Sequence, residues 1–146
     1  MTVVVPFDGS ELSVAALERG RELAERFGPA LQVVTVIPNG NVKYARERGW
    51  LDAGEEFDPE RVVSELARTV EAVAPDADFE YRVVGRYAQP GTIASRIRQF
   101  TREVDAEIVV LGSDNAGRIV TKVSSVAGPV ASSADYDLHI VRQTRS

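Results

Sequence analysis

Cysteine is absent from this chain of 146 residues, and histidine, tryptophan and methionine occur once each. Without cysteine there is no disulfide framework, no thiolate metal site and no thiol nucleophile. The single histidine, His139, excludes a zinc site built on paired imidazoles. Lysine is scarce as well: apart from Lys43 and Lys122, the 17 basic residues are all arginine, and 22 acidic residues outnumber them. The net charge of −5 argues against duplex DNA or an anionic membrane as partner, because both attract basic faces. No apolar run approaches the ~20 residues of a membrane span. The first residues lack the basic start, apolar stretch and small-residue cleavage site of a secretory leader. The expectation is one cytoplasmic domain without nucleic-acid or membrane partners, large enough to build its own core.

What is present is an alternation of two apolar periods. Val3-Val4-Val5 is a continuous β-branched run, as in a strand buried on both faces. Ser10 offers a helix cap, Leu12, Ala16, Leu23 and Phe27 recur at helical spacing, and Gly28-Pro29 stops the helix. A strand follows over 31–37. Asp58-Pro59 caps a second helix with its stripe at Val62, Val63, Leu66, Val70 and Val73. The segment 79–84 starts by alternating apolar with charged, as an edge strand does. Ile93, Ile97, Phe100 and Val104 mark another helix, 108–111 a central strand, 119–130 a further helix and 138–141 a last strand. Five strands alternating with helices predict an α/β domain: one doubly wound, five-stranded parallel sheet with helices on both faces. Placing the two wholly apolar strands centrally gives the order 3-2-1-4-5. Ligands of such sheets bind beyond the C-terminal strand ends, which here carry Asp8-Gly9-Ser10 and Gly112-Ser113-Asp114-Asn115. The irregular segment 38–57 holds Trp50, the basic group Lys43, Arg46 and Arg48, and room for a short helix near 42–48.

Three segments then resemble the universal stress protein family: VVVPFDGSELSVAAL, EIVVLGSDNAG and SSVAGPVASSADYDLHIVR. The resemblance implies an adenine nucleotide alpha hydrolase-like fold over residues 1–146 and a nucleotide cleft. In nucleotide-binding members, Gly-x-x-Gly, nine residues and Gly-Ser or Gly-Thr expose backbone N–H groups to phosphate. Gly112 matches the first glycine, but Asn115 stands at the second, and Ser124-Ser125 replaces the last pair. A Cβ at either position crowds a backbone built to touch phosphate. The chain thus resembles the branch with a degraded glycine motif, which does not bind ATP. The alternative is an ATP or AMP sensor using Asn115, Ser124 and Ser125 as side-chain donors. In either case Asp8 is implied on the nucleoside and Val36 against adenine.

The same residues have plainer explanations. Asp8-Gly9-Ser10 is also turn and cap chemistry, and Val36 also a buried strand residue. Trp50 reads better as an anchor of its loop to the sheet than as a lid. Lys43, Arg46 and Arg48 read as a solvated face. No Gly-x-Ser-x-Gly elbow or Walker lysine is present. A phosphoacceptor receiver would need aspartate where Val84-Gly85-Arg86 stands. No catalytic residue and no metal site are expected, and the domain is read as non-enzymatic. Finally, 138–142 is an apolar edge that invites pairing. The resemblance implies a twofold homodimer there, with Leu138 and Ile140 against their mates, and a partner protein remains a further expectation.

Overall fold

A computed structural model describes residues 2–28, 30–52, 54–113 and 136–144. The helix expected over 119–130, with Asn115, Ser124 and Ser125, lies outside them. The chain order is β1 (Thr2–Pro6), α1 (Glu11–Phe27), β2 (Ala30–Pro38), α2 (Val42–Glu47), α3 (Pro59–Val73), β3 (Asp78–Val84), α4 (Pro90–Glu103), β4 (Ala106–Gly112) and β5 (Asp137–Val141). The strands form one sheet in the order β3-β2-β1-β4-β5, every pairing parallel. The expected order and the expected edge position of β3 are both found.

Local chemistry sets the boundaries. The Ser10 side chain accepts from the Ser13 amide, and Gly28 closes α1 in the left-handed region at φ 78°, where glycine carries no Cβ penalty. The Asp58 carboxylate accepts from the Glu60 amide at the start of α3, with Pro59 in the first turn.

Val3, Val4 and Val5 of β1 are wholly buried because the sheet is covered on both sides. Val3 and Val5 join Leu17, Val33, Leu66 and Val70 under α1 and α3. Val4 joins Val34, Ile97, Phe100, Val109 and Leu111 under α4. Each such side chain contributes roughly 1.5–3 kcal/mol on burial. Helix α1 presses close to the sheet at Gly20, where a Cβ would stand 2.7 Å from Val5 Cγ2 and 3.3 Å from Leu31 Cδ1.

The helix expected near 42–48 is α2. Trp50, just beyond it, is buried and donates its Nε1–H to the Asp8 carbonyl at 2.7 Å. It therefore anchors the 38–57 segment to the end of β1, as its apolar bulk suggested. The solvated-face reading holds for Lys43 and Arg46, which are exposed, but fails for Arg48, whose side chain keeps only 12% of its exposure. The guanidinium of Arg48 lies 3.7 Å above the Tyr44 ring and faces Asp8. A flat, weakly hydrated cation loses little on stacking against an aromatic face.

Candidate nucleotide cleft

The chain leaves β1 through Phe7-Asp8-Gly9-Ser10 in a fixed turn. The Phe7 amide donates to the Val34 carbonyl at 2.9 Å, and the buried Thr35 hydroxyl donates to the Phe7 carbonyl at 2.6 Å. Gly9 takes φ 84°, and Asp8 Oδ1 accepts from the Ser10 amide at 2.9 Å. The turn thus holds the Asp8 carboxylate at the C-terminal edge of the sheet.

Over the ends of β1 and β2 lies a cavity of about 250 Å³. Its floor is Pro6, Phe7, Val34 and Val36. One wall is α4, with Ile93, Ala94 and Ile97; the other is α2 and the residue that caps it, with Tyr44, Glu47 and Arg48. Asp8 stands at the rim between them. An apolar chamber with a few convergent polar groups is the usual form of a small-molecule site, although this one lies just below the common range of about 300–1,000 Å³.

Burial alone would raise the Asp8 pKa, but hydrogen bonds from Ser10 and Ser13 and the charge of Arg48 outweigh it. The carboxyl therefore titrates below its ordinary value of 3.8 and is ionised at neutral pH. Arg48 Nε is 3.8 Å from Asp8 Oδ2. That nitrogen is buried and makes no hydrogen bond among the described residues.

The structure brings together two of the residues read from sequence, Asp8 and Val36. The plainer readings hold at the same time: Asp8 shapes the turn, and Val36 packs in the core beneath α4. Gly112 ends β4 in register with Val141 and is buried, but it does not line the cavity. Asn115, Ser124 and Ser125 lie outside the described residues. The walls supplied by α2 and α4 went unread in the sequence. One signal for Arg48 was available: Tyr44 and Arg48 are four apart, and that spacing stacks side chains on one helix face.

A model of the universal stress protein family matches residues 1–142. The chain belongs to the universal stress protein family. No curated protein matches it by sequence. Among solved structures, a universal stress protein in complex with cAMP is 26% identical, with 99% of this chain and 98% of that one covered at a TM-score of 0.55. The Archaeoglobus fulgidus universal stress protein in complex with dAMP is 20% identical, with 97% and 98% covered at 0.57. A universal stress protein family member from Burkholderia pseudomallei is 20% identical, with 97% and 96% covered at 0.52. The last two carry the fold alone. As a universal stress protein, this chain has the family's parallel sheet, and among its described residues no helix is long and apolar enough to cross a membrane.

Proposed function

We propose that this universal stress protein is a non-enzymatic, dimeric stress-response domain whose cleft holds the nucleoside end of an adenine nucleotide and has lost its grip on a polyphosphate. The observation that carries the reading is the cavity joining Asp8 and Val36, with an apolar floor and an apolar α4 wall for a flat ring and a carboxylate for hydroxyls. The solved relative that carries cAMP is in accord with it. The loss on the phosphate side rests on sequence: Asn115, Ser124 and Ser125 stand where glycines would expose the backbone. Dimerisation rests on β5, the last strand of the sheet, with Leu138 and Ile140 half-buried.

A second reading, an ATP or AMP sensor, draws on the same cavity and assigns the phosphates to side-chain donors at Asn115, Ser124 and Ser125. Thermal melting with adenosine, AMP and MgATP separates the two. A ligand at a hundredfold excess over its Kd adds about 2.7 kcal/mol to the native state, several degrees in Tm for a chain of this size. The first reading expects adenosine and AMP to raise Tm alike, with MgATP adding nothing. A clearly larger shift with MgATP favours the sensor, and no shift with any of the three overturns both.

A further inference from the structure

We infer that Asn39-Gly40, the turn between β2 and α2, is a self-modifying site. The Asn39 side chain is converted without an enzyme to aspartate and isoaspartate, and the isoaspartyl form loosens the α2 wall of the cleft. The inference does not depend on what the cleft holds. The chain has three asparagines, Asn39, Asn41 and Asn115, and asparagine is among the thermolabile residues of proteins. Asn39 and Asn41 lie among the described residues, and their surroundings are opposite. The side-chain amide of Asn41 is pinned at both ends: Oδ1 accepts from the Tyr44 N–H and Nδ2 donates to the Arg86 carbonyl, each at 3.0 Å. The β-branched Val42 crowds the nitrogen that follows it. Asn39 is exposed, its side chain makes no hydrogen bond among the described residues, and glycine follows it.

The conversion needs the next residue's amide nitrogen to reach the asparagine Cγ. Gly40 has no Cβ to block that approach, and its N–H makes no hydrogen bond among the described residues. The turn is closed on either side of this nitrogen. Asn39 N–H donates to the Val84 carbonyl at 2.9 Å, and Asn41 N–H to the Pro38 carbonyl at 3.2 Å. Opening of the second, longer bond lets Asn39 rotate into line. The Gly40 nitrogen gives its proton to hydroxide and bonds to Asn39 Cγ. The Cγ–Nδ2 bond then breaks, and Nδ2 takes a proton from water and leaves as ammonia. Water opens the resulting succinimide at one of two carbonyls. Opening at Cγ gives aspartate; opening at the main-chain carbon gives isoaspartate, in which the chain runs through Cγ. Either product places a new carboxylate in the turn beside Arg86, whose Nε would stand 3.2 Å from a Cβ at Gly40. Isoaspartate also lengthens the main chain by one carbon just ahead of Asn41, which caps α2 and lines the cavity. A helix of six residues does not hold itself together once its cap is displaced.

Ageing the folded full chain in warm, mildly alkaline buffer tests this, with peptide mapping by fragmentation that separates aspartate from isoaspartate. A gain of about 1 Da, amide to acid, should map to Asn39 and form faster as pH rises. It should outpace conversion of Asn41 by about tenfold or more. Conversion of Asn41 as fast as Asn39 overturns the inference. So does an unchanged Asn39 by the time a urea-unfolded sample has converted fully. Asn39→Asp supplies the charge without the extra carbon. Amide exchange over 42–48 should be about tenfold or more faster in the isolated isoaspartyl fraction and unchanged in Asn39→Asp. Wild-type exchange in the isoaspartyl fraction overturns the link to α2. Equally fast exchange in Asn39→Asp assigns the loosening to charge and overturns the part given to the longer main chain. None of these results touches the nucleotide reading, which rests on the cavity.

Discussion

Asp8 serves the turn and the cleft with different atoms. Its Oδ1 fixes the entry to α1, its Oδ2 faces Arg48, and its carbonyl takes the Trp50 indole. Its depressed pKa has a defined sign. The carboxylate stabilises the fold above its unfolded pKa, and that contribution is lost as pH falls through the lower folded value. Asp8→Asn keeps an acceptor for the Ser10 amide but removes the charge that faces Arg48, and should therefore cost about 1–3 kcal/mol at neutral pH. The gap in Tm from the wild type should close below about pH 4, as melting across a pH series would record. A gap that persists at acid pH would place the cost in packing. Gly9 is the other sensitive position. At φ 84°, with a built Cβ 2.9 Å from Leu66 Cδ2, Gly9→Ala should destabilise by about 1–3 kcal/mol, measurable by urea unfolding.

Helix α1 and helix α2 depend on different things. Helix α1 has 17 residues, a serine cap and a glycine stop, and at Gly20 it sits so close to β1 that any Cβ displaces Val5. In Gly20→Ala the gain in helix propensity, about 1 kcal/mol, is set against an overpacking cost of about 1–3 kcal/mol. The expected outcome is net destabilisation in chemical unfolding, and larger with valine. Helix α2 has six residues, too few to stand alone, and is held by Trp50 and the Tyr44–Arg48 stack. Trp50→Phe leaves the Asp8 carbonyl without its donor. It should speed hydrogen exchange across 42–50 while the amides of β1 and β4 stay protected. The caps at Ser10 and Asp58 and the stop at Gly28 were legible because each rests on near neighbours in the chain, and the sheet order because wholly apolar runs mark β1 and β4 as strands buried on both faces. The inward turn of Arg48 was not, because it depends on where α2 lands against a residue 40 positions earlier. Solvation is the fair default for an arginine in a polar segment, and only the docking of α2 overrides it.

The whole sheet is asymmetric at its two edges. Edge strand β3 exposes Asp78 and Glu80 and pairs Arg82 with Glu103, and such charges discourage strand addition. Strand β5 offers Leu138, Ile140 and Val141 in five residues with Asp137 alone charged. The proposed twofold pairing therefore belongs at β5, and sedimentation velocity at micromolar concentration should give twice the mass of one chain; a single-chain mass would end the proposal. The sole indole, Trp50, touches Tyr44 edge-on with ring centroids 5.5 Å apart, and Tyr44 lies under Arg48 at the chamber wall. The chain thus carries an intrinsic fluorophore one ring away from its candidate ligand. Its emission colour and quenching will report occupancy of the cleft without any label, against no competing tryptophan signal.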